Sequence, residues 1–446
     1  MDGFILFDFA ADCHYIEGMR IRLAYGKKGL EVRLPEEADI TVLEPAYTPA
    51  LPDQAAAVRR ALGRPTGLPA VSRWVKAEDT VGIAFSDITR PTPNRLILPI
   101  LLEEISHVPD DRITLFNGTG THRPNTEEEL REMLGREIVS QYRIVQNDAL
   151  DRSSHVRVGT TRSGNDIWIH EEFVRCSARI LTGFIEPHFF AGFSGGGKAC
   201  MPGLALLETV FANHSARNLD DPSTTWGVTE GNPLWEEVRE AAEMMEPLFL
   251  LNVSLNRDKA VTGVFAGRMR EAHGEGCRFV KEKAMVAVAE PFDIVLTSNS
   301  GFPLDLNLYQ AVKGMSAAAQ VVKPGGAIII AADCWDGIPD HGEYGKMLRE
   351  AGSLEELMAT IHRPGFMRQD MWQVQIQARI CRKARVYVYS EKLTDEQIRA
   401  AHLESCGKGS GAIESRIAAL LAERGGNARI CVLPEGPQTI PYVAGS

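Results

Sequence analysis

Short apolar runs alternate along the chain with longer segments whose apolar positions recur every three or four residues. VGIAF (81–85), RITLFNG (112–118), RILTGFI (179–185), DIVLTSN (293–299), AIIIAAD (327–333) and ARVYVYS (384–390) are rich in β-branched residues and read as buried strands. The first is followed by the helical pattern RLILPILLEEI. The second is followed by THRPNTEEELREML, where Asn125 or Thr126 caps a helix with acidic residues in its first turn. Strands alternating with helices predict an α/β fold with mainly parallel sheets. Residues 268–290 read as a polar turn plus one helix between two halves. This divides the chain near residue 275 into an N-terminal α/β domain (1–275) and a C-terminal α/β domain (276–446). The tail PEGPQTIPYV reads as an extended segment packing back on the protein, and no internal repeat is visible.

Composition narrows the class of function. The chain has 446 residues, enough for two or three domains, and 44% apolar residues can fill their cores. Its formal net charge of -11 argues against nucleic acid as a partner, because phosphate backbones require a basic face. It leaves room for one small phosphorylated ligand held by local donors. The N-terminus lacks the basic region of a signal peptide, and no apolar stretch reaches the roughly 18 residues of a membrane span. The eight cysteines form no C-x-x-C pair, which suits reduced thiols and a cytoplasmic location.

The unusual residues fall where strands end, which is where open α/β sheets collect ligands. SDITRP (86–91), GTGTHRP (118–124) and EPHFFAGFSGGGK (186–198) each follow a strand of the first half, and SNSGFPLDLNLYQAVKG (298–314) follows one of the second. The active site is therefore expected in a cleft between the two domains. Gly192, Gly197 and Lys198 fit the opening of a phosphate-binding P-loop, but Ala199 stands where a magnesium-binding hydroxyl is needed. The glycines also begin too far after their strand, so triphosphate hydrolysis is disfavoured. Successive glycines instead let backbone approach a ligand, and a lysine there is placed for a covalent link to a carbonyl or thioacid.

His122 and His188 each follow a strand, and two imidazoles facing one cleft suit a reaction needing a proton acceptor on both faces of a carbon. His214 is a candidate metal ligand. Asp87 and Arg90 could bind ribose and phosphate, or Arg90 could fork onto a substrate carboxylate. Tyr309 and Lys313 lie four apart on one helix face with Gln310 adjacent, a candidate anion clamp, and Trp372 reads as a half-buried helix aromatic.

Taken in order, SDITRPTP, GTGTHRP, EPHFFAGFSGGGKACMPG, FANHSARN, LYQAVKG and DMWQVQ resemble the lactate racemase family, whose members use a nickel-pincer nucleotide. The resemblance covers all but about the first 20 residues. It implies that Lys198 forms a thioamide bond to the cofactor, a pyridinium-3-thioamide-5-thiocarboxylic acid mononucleotide nickel complex. It implies that His214 completes the nickel's coordination and that His122 and His188 are the catalytic bases. Asp87, Thr89, Phe190, Gly196 and Gly197 correspond to cofactor-binding positions. Arg90 and Lys313 are catalytic and substrate-binding, and Tyr309, Gln310 and Trp372 line the substrate. The implied reaction is racemisation or epimerisation of a 2-hydroxy acid by hydride transfer to the cofactor and back, which avoids a carbanion beside a carboxylate. Cofactor-biosynthesis proteins are implied as partners, with room for a homo-oligomer and no membrane. Two other readings stand beside it: a metal enzyme in which the three histidines are simple ligands, and a non-catalytic binder of a nucleotide or small acid.

Overall fold

The computed structural model of the protein describes residues 19–44, 47–339, 342–424 and 428–444. The first 18 residues, Cys13 among them, lie outside the described residues.

Two six-stranded sheets organise the chain. The first runs Val261–Gly267, Leu248–Leu255, Ala178–Phe184, Val81–Ser86, Ile113–Gly118, Arg143–Gln146, parallel except for the antiparallel pair formed by the first two. The second is wholly parallel: Glu404–Ser405, Arg385–Tyr389, Val322–Ala331, Phe292–Ser298, Arg429–Leu433, Asp39–Val42. All six strands expected from the apolar runs are present, their ends shifted by a few residues.

Strand alternation explains the layering. In the first sheet Val81, Ile83 and Phe85 face an outer cluster with the helices Gln54–Gly63 and Asn94–Glu104, while Ala84 turns inward. In the second sheet Ile294 and Leu296 face an outer cluster that includes the hairpin Met19–Leu34, while Val295 turns inward. The inward residues of both sheets belong to one continuous apolar cluster. Local signals hold as well. Thr126 caps the helix Glu127–Leu134 in a reciprocal pair with Glu129.

The division of the chain differs from the expected one. Residue 275 lies inside the helix Met269–Ala284, which packs on two strands of the first sheet. The strand Asp39–Val42 pairs with Arg429–Leu433, so the start of the described chain is built into the second sheet. The chain thus passes from second sheet to first after Val42 and returns after Ala284. The tail behaves as expected of an extended segment: Ile440–Val443 pairs with Met285–Val288, the stretch where the chain returns. No helix among the described residues is long and apolar enough to cross a membrane.

Deleting residues 1–44 removes an edge strand and uncovers the apolar residues beneath the hairpin. The expected result is a melting temperature lower by roughly 5 °C or more by scanning calorimetry. An unchanged value would show that this segment does not support the second sheet.

Candidate active site

The loops after Val81–Ser86, Ile113–Gly118, Ala178–Phe184 and Phe292–Ser298 open onto one cavity of about 1320 Å³. Ten lysines and arginines line it against four acids, although the whole chain carries -11. Such a local reversal of sign favours an anionic ligand. Of the fourteen residues singled out from sequence, twelve line this cavity. Gly196 and Gly197 do not: they face backwards into the fold.

Those two glycines shape the turn that delivers Lys198. Gly195 sits at φ 76°, ψ -160°, a conformation closed to side-chain-bearing residues. The Gly196 N–H donates to Asn252 Oδ1 at 2.7 Å, and a Cβ on Gly196 would lie 2.7 Å from the His273 ring. His273 is itself stacked on Trp235 and bonded to the Ser194 carbonyl at 2.9 Å. A Cβ on Gly197 would meet Ala242 and the Val238 carbonyl at 3.0 Å. Close packing against the helix Pro233–Glu243 therefore requires the glycines, and the turn Gly196–Ala199 directs Lys198 into the cavity.

Lys198 enters without a counter-charge. Among the described residues its Nζ makes no hydrogen bond, and it lies 5.5 Å from the centre of the Phe190 ring. Burial, then the charges of Arg90 and Lys313, lower its pKa to about 7. Phe190 is a hub, because the same ring also meets His188 at 4.4 Å and His214 at 5.1 Å between centroids. His214 is buried and held neutral, its pKa pushed to about 3 by burial and by Lys198. Its Nδ1 is near the Val210 carbonyl without closing a hydrogen bond, and its ring leans on Trp372 at 5.2 Å. Trp372 is buried, not half-exposed, and its indole N–H donates to the Tyr309 hydroxyl at 3.3 Å. Gln310 also lines the cavity, its backbone N–H capped by Asn307 at the start of the helix Leu308–Ala319.

The two catalytic candidates are held differently. Asp87 is buried and accepts from His122 Nδ1 at 2.8 Å and from the Thr89 hydroxyl at 2.8 Å. Burial pushes the Asp87 pKa up, but the His122 bond and the charges of His122 and Arg90 prevail, and it is net lowered. The resulting carboxylate keeps the His122 proton on Nδ1 and leaves Nε2 as an acceptor. His188 Nδ1 instead accepts from the Ala191 N–H at 3.2 Å, so its proton sits on Nε2. Burial, then Lys198, Lys313 and Arg90, hold its pKa well below the usual imidazole range. Arg90 and Lys313 face the same space, with no hydrogen-bonded partner at their charged ends among the described residues. Burial, then Arg90, bring Lys313 down to about 8, with Glu186 opposing.

Residues 25–227 match the lactate racemase N-terminal domain and residues 287–440 the lactate racemase C-terminal domain. The chain is 37% identical over 421 residues to the lactate racemase of Lactiplantibacillus plantarum, covering 93% of this chain and 98% of that one. It is 36% identical over 385 residues to that of Thermoanaerobacterium thermosaccharolyticum, covering 85% and 90%. The chain belongs to the lactate racemase family. It is an enzyme of that family and an isomerase. The structure of the Thermoanaerobacterium lactate racemase apoprotein superposes with a TM-score of 0.88 at 33% identity, over 95% of this chain and 100% of the other. A Thermotoga maritima protein shares the fold at a TM-score of 0.66 and 18% identity, over 89% of this chain and 100% of the other.

Several residues at this family site carry no sequence signal of their own. Asn252 and His273 act from behind the glycine turn, while Glu186, Arg257, Lys259 and Lys283 line the cavity. For the lysines and arginine, a run of basic residues would have been visible in sequence, but Arg257 and Lys259 sit on one turn and Lys283 on the helix Met269–Ala284.

An unpaired buried amine costs stability below its folded pKa. Because that pKa is about 7 against 10.5 for an ordinary lysine, the cost is full at acid pH and fades as pH rises toward 10.5. In protein free of any adduct, Lys198→Met is therefore expected to stabilise the fold by on the order of 2–4 kcal/mol at pH 6 and by less at pH 9. Urea unfolding at the two pH values checks this. A gain that grows with pH contradicts the burial of a free amine.

Proposed function

We propose that the protein racemises or epimerises a 2-hydroxy acid in the cleft between the two sheets, using a nickel-pincer nucleotide bound covalently through Lys198. The observation that carries this reading is the meeting of Lys198, His188 and His214 on one ring, Phe190, inside a basic cavity. The residues fit the group. Lys198 offers an amine whose pKa of about 7 leaves a substantial uncharged, nucleophilic fraction at neutral pH. His214 offers a neutral imidazole on the wall of the same cavity. The basic lining suits a nucleotide phosphate. Thr89, Asp87 and Phe190 border the same space. Gly196 and Gly197 serve it only by forming the turn beneath Lys198.

The nucleotide, when bound, supplies a reversible hydride acceptor. The chain supplies binding and proton movement. Arg90 and Lys313 hold the substrate carboxylate, and the desolvated cleft strengthens both contacts. His122 Nε2 takes the hydroxyl proton while Asp87 stabilises the imidazolium that forms. The planar 2-keto acid turns over beneath the two cations. His188 meets its oxygen from the other side with Nε2–H. Tyr309, Gln310 and Trp372 border the substrate's side chain. Among the described residues no three His, Cys, Asp or Glu side chains gather as a metal site, which weighs against a centre built from the histidines alone. A single histidine donor is what a metal already held by an organic ligand would need.

Expression with cofactor-biosynthesis proteins should give a mass increase on the intact chain together with lactate racemisation, and Lys198→Ala should lose the mass increase and nearly all activity. Activity with no adduct on Lys198 overturns the covalent reading. His122→Ala and His188→Ala should each lower kcat by about 10²–10⁴, and Asp87→Asn by roughly tenfold or more through misplacement of the His122 proton. Chiral chromatography of lactate reads both. Full activity in either histidine variant removes it from the chemistry.

A further inference from the structure

One ionisable group that lines the cavity, Glu186, has no part in the chemistry above. Glu186 stands two residues before His188; the Ser194 N–H donates to its carbonyl and its own N–H donates to the Ser194 hydroxyl, extending the short hairpin of Pro187–His188 with Gly192–Phe193. Alternation puts both side chains on one face, and both line the cavity. The Glu186 carboxyl makes no hydrogen bond or ion pair among the described residues. Burial raises its pKa, and the charges of Lys313 and then Arg90 oppose that and favour the carboxylate.

Asp87 is already committed to His122 and Thr89. The substrate-binding end of the cleft therefore holds two cations, Arg90 and Lys313, and one unpaired carboxyl. We propose that Glu186 is a specificity-determining residue that restricts this site to 2-hydroxy acids bearing a single carboxylate. The inference rests on the hydroxy-acid reading. One substrate carboxylate balances the two cations and Glu186. A second carboxylate would enter the same poorly solvated space with Arg90 and Lys313 already engaged and with Glu186 as a like-charged neighbour, an arrangement that is costly when buried. An alkyl, aryl or hydroxyl side chain brings no such charge, and a hydroxyl could donate to the Glu186 carboxyl.

The test measures binding of L-lactate, L-malate and the 4-methyl monoester of L-malate by calorimetry, on protein isolated from a host that makes the cofactor. The monoester keeps nearly the size of malate and removes its second charge. Wild-type protein is expected to bind lactate and the monoester at least about tenfold tighter than malate. Glu186→Gln is expected to bring malate within about threefold of lactate, chiefly by tightening malate. A monoester as weak as malate assigns the exclusion to size and overturns the proposal. So does malate binding equal to lactate in the wild type, or a malate-to-lactate ratio unmoved in folded Glu186→Gln. The monoester comparison decides the matter alone if that variant does not fold. If the wild type binds none of the three, the hydroxy-acid reading itself fails and the role of Glu186 falls with it.

Discussion

A lysine amine held inside the protein without a carboxylate beside it is the constraint around which the cleft is arranged. Water would solvate that amine as an ammonium, and the interior of the cavity does not, so Lys198 tends toward the neutral form. Holding it there takes structure on every side. The glycine turn is pressed against the helix Pro233–Glu243 and the His273 ring, Asn252 fixes the turn's backbone, and Phe190 offers a π-face to the amine. None of these contacts neutralises the charge. They hold a reactive group in place, as a site that stores unfavourable local energy for chemistry must.

The same economy of partners recurs across the cavity. Among the described residues, Arg90, Lys313 and Glu186 all present ionisable ends with no hydrogen-bonded partner, whereas on the outer surface acids and bases pair, as in Arg123 with Glu129. Asp87, by contrast, is paired, and its pairing has a directional result. By fixing the proton of His122 at Nδ1 it makes that ring an acceptor, while a backbone N–H at His188 Nδ1 makes the second ring a donor. Two residues of one type thus differ in the proton they offer because their neighbours differ.

Much of this was legible in the sequence, for identifiable reasons. The six strands announced themselves because fully buried parallel strands are continuous apolar runs, and the site residues because they follow those strands. DITV at 39–42 was silent: it is short, begins with Asp39, and finds its partner strand nearly four hundred residues later. That long-range pairing is why a boundary near 275 misses both the start of the second half and the helix that runs through that position. Gly196 and Gly197 looked like a ligand cradle because three glycines in a row permit close approach, and sequence does not say whether the object approached is a ligand or the protein's own helix. Glu186 was invisible because its distinguishing property is the absence of a partner, which only placement reveals.

One feature of the layering bears on how the two halves hold together. The inward faces of both sheets contribute to a single apolar cluster, and Trp226 from one half donates to Ser316 of the other at 3.1 Å. Prising the halves apart would expose that shared interior to water, so wide opening is opposed by the same force that folds the chain. The two halves are accordingly tied by their common interior, and the walls of the cavity are braced by side-chain packing as well as by the connecting chain.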